Sequence, residues 1–130
     1  MIVADSSPII ALAKDGRLDL LKKCFGKVVI PESIYQEIMR KKGSLEAISL
    51  EKAINSKWIV VEKVEVISAL STKNIGQGEK EAISLAFKHK SILLIDDDFA
   101  KKYASIFGIE THGTLFVIYL ATAKKIISAT

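Results

Sequence analysis

The chain has 130 residues, 49% of them hydrophobic and 26% charged, a balance that suits one globular domain with a sizeable core and excludes a disordered chain. Nineteen Lys and Arg against fifteen Asp and Glu leave a formal charge of +4, compatible with a polyanionic partner without demanding one. The single cysteine, Cys24, excludes an internal disulfide and any multi-cysteine zinc site.

In chain order, the opening MIVADSSP carries an acid at position 5 and no basic run, so no signal peptide is expected. Its Ile2-Val3-Ala4 is the first of four short apolar runs, followed by Val28-Val29-Ile30, Ile59-Val60-Val61 and Ile92-Leu93-Leu94-Ile95. None alternates apolar with polar, which predicts strands buried on both faces, as in a parallel sheet covered by helices. Ile109-Glu110-Thr111 is a weaker fifth candidate. Cys24, beside Phe25 after a helical run, reads as a small buried hydrophobe.

The helices between these runs carry punctuation. After Pro31 a helix is expected from Glu32 to Lys42, stopped by Gly43, and another from Ser44 or Leu45 to about Ser56. Gly76-Gln77-Gly78 reads as a loop, then Glu79 to Lys90 as a helix ending at His89 and Lys90. Asp97 to Phe107 reads as a helix stopped at Gly108, a favourable residue just past a helix end. His112 falls in a loop, and a last apolar helix starts at Gly113 and ends in Lys124-Lys125. The longest apolar stretch, Leu115 to Ala121, is far short of the roughly 20 residues of a membrane span. A soluble, cytoplasmic protein with a single domain over 1–130 is the expectation.

The acids are informative because, in open parallel sheets, ligands bind beyond the carboxyl ends of the strands. Asp5 follows the first strand, Glu37 lies about one turn into the helix after the second, and Asp96, Asp97 and Asp98 follow the fourth. At about 100° per residue, Ile34, Tyr35, Ile38 and Met39 make an apolar stripe with Glu37 on its shoulder. In the helix after Gly78, Glu79 lines up with Ile83 and Ala86, whereas Glu81 sits on the other shoulder near Leu85. Lys80, Ser84 and Lys88 form the solvated face. Both glutamates can reach the sheet edge, and periodicity does not choose between them. Singly, each acid has an ordinary role, Asp5 and the Asp triplet as helix caps or dipole partners. Jointly, they crowd one edge and raise each other's pKa, a cost that a divalent cation with oxygen ligands such as Mg²⁺ or Mn²⁺ removes. Such an ion suits phosphodiester hydrolysis, and Lys22, Lys23, Arg40, Lys41, Lys42, Lys101 and Lys102 suit a phosphate backbone.

VADSSPIIALAKDGRLDLL resembles the first strand and helix of PIN domains, in which an Asp is followed by a small hydroxyl or amide residue. VIPESIYQEI resembles their second motif, and GQGEKEAISLAF with LLIDDDFAKKYASIFGIETHGTLFVIYLA the later motifs of the subgroup related to VapC toxins. The resemblance implies a three-layer α/β/α fold around a central, mainly parallel sheet of four to five strands. It also implies Mg²⁺- or Mn²⁺-dependent cleavage of RNA, often by a homodimer, in toxins that are paired with an antitoxin protein. Carried over by position, Asp5 is the first acid and Glu37 the second. Glu81 fits the third, with Glu79 in the same motif, and Asp96 or Asp97 supplies the fourth. Ser7 is the small polar residue supporting the cluster, and Lys101 stands where the subgroup often has Arg. Three features depart from the pattern: Glu replaces the usual third Asp, Phe116 stands where Gly is common, and the chain stops at Thr130. They keep open a non-catalytic module that binds RNA or a protein. A phosphatase using the Asp triplet fits less well, because Ser7 holds the place of the second acid such enzymes want.

Overall fold

The structure is a computed structural model that describes residues 1–127. The four apolar runs form strands β1 (Ile2–Ala4), β2 (Val28–Pro31), β3 (Ile59–Glu62) and β4 (Leu93–Leu94), and β5 spans Thr111–His112. They make one five-stranded sheet in the order β3-β2-β1-β4-β5, with every neighbouring pair parallel. Val3 stands opposite both Val29 and Leu93, which fixes the register at the centre. β1, β2 and β4 are buried throughout, as their unbroken apolar runs require, whereas most of β3 and all of β5, at the two edges, are half-buried.

Among the described residues seven α-helices flank the sheet: α1 (Ser6–Lys14), α2 (Asp19–Phe25), α3 (Glu32–Met39), α4 (Leu45–Asn55), α5 (Gln77–His89), α6 (Asp98–Ile106) and α7 (Thr114–Ala123). α5 packs on β1, β2 and β4 and touches α3, while α1 packs on α3, α4 and α7, and α2 on α7. Ile9, Leu21, Ile30, Ile34, Ile83, Leu85, Leu93 and Leu94 are fully buried between these layers. Half-buried Cys24 of α2 packs against this core. Glu62, at the end of β3, ties that edge to α5 by accepting from Lys88 at 2.8 Å and contacting His89 at 3.0 Å.

Several boundaries differ from expectation for physical reasons. The fifth strand lies at Thr111–His112 rather than 109–111, because the Ile109 N–H is used to close α6 on Ala104 while β4 pairs with the carbonyls of Glu110 and His112. That places His112 in the sheet, where its ring stacks on Phe116. α3 stops at Met39, where its apolar stripe ends; Arg40 caps it and Lys41–Lys42 are exposed. α5 begins two residues early, at Gln77, because the Glu79 carboxylate reaches back to the Gly76 N–H at 2.8 Å. Ser84 is buried rather than solvated: it donates to the Lys80 carbonyl and accepts from Ile67 N–H, in the segment leading into a 3₁₀ turn at Ser68–Leu70.

Candidate active site

The strand order reverses between β1 and β4, since the chain moves outward from β1 through β2 to β3 and then returns to the other side. At such a switch point the connections leaving neighbouring strands diverge and open a crevice beyond their carboxyl ends. A cavity of about 500 Å³ lies there, and Asp5, Glu37, Glu79 and Asp97 all line it. One acid thus comes from each of four successive strand-to-helix connections. Asp5 follows β1, Glu37 rides on α3 after β2, Glu79 on α5 after β3, and Asp97 follows β4. A second cavity of similar volume, walled by Phe87, Ile92, Phe107 and Ile109, sits at the opposite edge of the sheet, away from the acids.

Asp5 occupies the N-cap position of α1, yet its side chain makes no capping hydrogen bond. It is only 4% exposed. Its carboxyl is pushed up to about 7, chiefly by burial; the Ser6 backbone N–H pulls it partly back, and Glu79, Glu37 and Asp97 push it further up. Burial likewise raises Glu79 above the ordinary carboxylate range, opposed by the Gly76 N–H and reinforced by Asp97 and Glu37. Asp97 does cap a helix: one of its oxygens accepts from Ala100 N–H at 2.9 Å at the start of α6. These are carboxylates crowded together in a half-dry cleft, where ionising all of them at once is costly.

The other acids proposed from the sequence point elsewhere. Asp96 accepts from both the backbone N–H and the hydroxyl of Thr114, each at 2.7 Å, and so fastens β4 to the start of α7. The backbone at Gly113 comes so close to this carboxylate that an added Cβ would lie 2.6 Å from its oxygen. Glu81 turns to α3, where one oxygen accepts from Ser33 N–H at 3.4 Å, while the other accepts from the Gln77 amide of its own helix at 2.8 Å. It supplies an acceptor to a helix whose own N-cap, Pro31, has none. It lines a separate, smaller cleft beside Lys63 and Val64. Ser7 does line the acidic cavity and is exposed. Lys101 is half-buried, stands 3.9 Å from Asp98, and is not among the residues lining the cavity.

On the polar face of α3, sequence reasoning named Glu37 and Arg40 but overlooked Ser33 and Gln36. Ser33, Gln36, Glu37 and Arg40 all line the cavity and recur at i, i+3, i+4 and i+7, the spacing of one helix face. That periodicity was visible in the sequence beside the apolar stripe of Ile34 and Ile38. The four acids offer only oxygen donors, and their mutual repulsion is what a hard divalent cation relieves, so the donor set fits Mg²⁺ or Mn²⁺. Among the described residues no three Asp, Glu, His or Cys side chains already stand together as a closed ion-binding group.

A family profile described as PIN domain matches residues 1–130. Solved structures with similar folds include two that align over most of this chain. A PilT N-terminus domain protein from the hyperthermophilic archaeon Sulfolobus solfataricus P2 aligns with a TM-score of 0.59 at 20% identity, over 95% of this chain and 93% of that one. A domain of a functionally unknown protein from Methanocaldococcus jannaschii DSM 2661 aligns with a TM-score of 0.55 at 25% identity, over 86% of this chain and 89% of that one. No curated protein matches the sequence. Among the described residues no helix is long and apolar enough to cross a membrane.

Proposed function

Because the chain belongs to the PIN-domain family, a nuclease-type fold, we propose that it is a metal-dependent endoribonuclease using Asp5, Glu37, Glu79 and Asp97. The observation that carries this reading is their arrival, from four strand-to-helix connections, in one cavity at the switch point of the sheet. These carboxylates would hold Mg²⁺ or Mn²⁺, which when bound polarises the scissile phosphate and lowers the pKa of the attacking water.

The chain's own residues prepare the site. β1 carries Asp5 to the floor of the cleft and buries it, so its carboxylate gains most from a neutralising partner. Gly76 and Ala100 N–H groups hold Glu79 and Asp97 by one oxygen each, fixing their direction. Ser7 presents a hydroxyl at the rim. Asp96 and Glu81, with both oxygens engaged, the one fastening β4 to α7 and the other bridging α5 to α3, act on stability.

The decisive experiment is cleavage of single-stranded RNA with Mn²⁺. Asp5→Asn is nearly isosteric and removes the charge, so cleavage should vanish while the circular dichroism spectrum stays native. An Asp5→Asn protein, freed of contaminating nuclease, that cuts at the wild-type rate refutes the assignment. Glu in place of the usual third Asp favours one second reading, a catalytically weak or inactive module that binds RNA or a protein partner. A site still empty at millimolar Mn²⁺ by calorimetry would select it. The finer assignment, a cytoplasmic VapC-like toxin working as a homodimer against an antitoxin protein, is supported by the motifs around Asp5, Glu37 and the Asp triplet. Growth arrest on expression, lost in Asp5→Asn, tests the toxin assignment.

A further inference from the structure

We propose that Arg40 grips the RNA backbone at a phosphate neighbouring the one that is cut; this rests on the nuclease reading above. Among the described residues that line the acidic cavity, Arg40 carries the only cationic side chain. It follows Glu37 by three positions, so the two project from adjacent angles of α3 with their Cα atoms about 4.5 Å apart along the axis. That offset is of the same order as the axial rise of about 3.4 Å per phosphate along one strand of a duplex. Ser33, whose buried hydroxyl has no hydrogen-bond partner, lines the same cavity one turn before Gln36 and Glu37. Ser33, Gln36 and Arg40 thus form a polar track leading past Glu37.

Among the described residues six of the other Lys and Arg side chains are paired, and those that are not, Lys22, Lys41, Lys42 and Lys102 among them, do not line the cavity. Lys14, Arg17, Lys23, Lys63, Lys88 and Lys101 each stand within ion-pair distance of a carboxylate. Arg40 belongs to no ion pair among the described residues, although four carboxylates line its own cavity. Two of those are held by backbone N–H groups and a third, Asp5, is buried. An exposed guanidinium at the mouth of an acidic cleft offers a planar fork of donors that matches two phosphate oxygens. It also offsets the repulsion that a phosphodiester meets on approaching the carboxylates. The competing structural role is a cation at the C-cap of α3, favoured there by the helix dipole.

Arg40→Gln and Arg40→Lys, each assayed with Mn²⁺ on a single-stranded RNA oligonucleotide over a series of salt concentrations, decide between these roles. The expected result for Arg40→Gln is a KM raised about tenfold, with a much smaller change in kcat. The slope of log(kcat/KM) against log[salt] should fall by about one, as for the loss of one phosphate contact. Arg40→Lys, which keeps the charge and loses the fork, should fall between Arg40→Gln and wild type. An unchanged KM and salt slope in Arg40→Gln overturns the proposal, and so does a lowered melting temperature with KM unchanged, which assigns Arg40 to the helix end alone. Wild-type protein that cuts no RNA defeats the nuclease reading itself, a failure distinct from that of Arg40.

Discussion

Asp5→Asn should make the metal-free protein more stable while destroying its activity, and the size of the gain follows from the burial of one carboxylate. The group titrates at about 7 in the fold against 3.8 unperturbed, a shift of about 3 units, or roughly 4 kcal/mol. The folded-state value is raised, so the folded protein holds its proton longer than the unfolded chain does. Below about pH 4 both states are protonated and Asp5 has no charge penalty. The penalty grows as pH rises from about 4 to about 7 and is complete above that. Asn in its place is neutral throughout. With EDTA present, Asp5→Asn and wild type should therefore melt at similar temperatures near pH 4. By pH 8 the variant should melt higher by about 10–20 °C, given that 1 kcal/mol is worth roughly 3–5 °C in a domain of this size. Saturating Mn²⁺ should raise the wild type at pH 8 far more than the variant, because binding replaces the proton. Thermal melts across this pH series are the assay. A variant less stable than wild type at pH 8 without metal, or a difference independent of pH, would refute the claim that Asp5 is a buried, destabilising charge.

Four further outcomes follow from the directions in which the neighbouring acids turn. Asp97→Asn keeps an oxygen for Ala100 N–H but loses its charge, so cleavage should drop at least tenfold with little change in melting. Asp96→Ala should do the opposite, costing about 1–3 kcal/mol in urea unfolding through its two lost bonds to Thr114 while cleavage stays within a few-fold of wild type. Glu79→Gln should weaken Mn²⁺ binding measured by calorimetry, whereas Glu81→Gln should leave it nearly intact; the reverse pattern would exchange their roles. Gly113→Ala should destabilise by about 1–3 kcal/mol, since its Cβ would meet an Asp96 oxygen at 2.6 Å that cannot swing aside without releasing Thr114. Chemical denaturation of this variant alongside Asp96→Ala checks the point.

The sheet was legible because strands buried on both faces leave unbroken apolar runs, as β1, β2 and β4 do. Edge strand β5 was read two residues early, since a half-buried pair of residues leaves too faint a pattern to set register. Asp5 and Glu37 line one cavity, and their position relative to strand ends was available from the sequence. The choices among Glu79, Glu81, Asp96 and Asp97 were not. Adjacent residues leaving a strand point to opposite sides, and which of Asp96 and Asp97 meets the cleft depends on where α7 begins. Likewise Glu81 is drawn to α3 because α5 docks beside a helix start that lacks a side-chain acceptor, a fact of tertiary contact rather than periodicity. Ser84 sat on the polar face by angle and became buried only because a distant segment folds over it.

The first turns of α5 and α6 have a consequence for how the cleft can fail. Glu79 and Asp97 each spend one oxygen on a backbone amide and keep one to present inward. Fraying of either first turn therefore releases a side chain from its bearing at the same instant, so local order and competence rise and fall together. Hydrogen exchange at the Gly76 and Ala100 amides becomes a direct gauge of how much of the time the cleft is assembled.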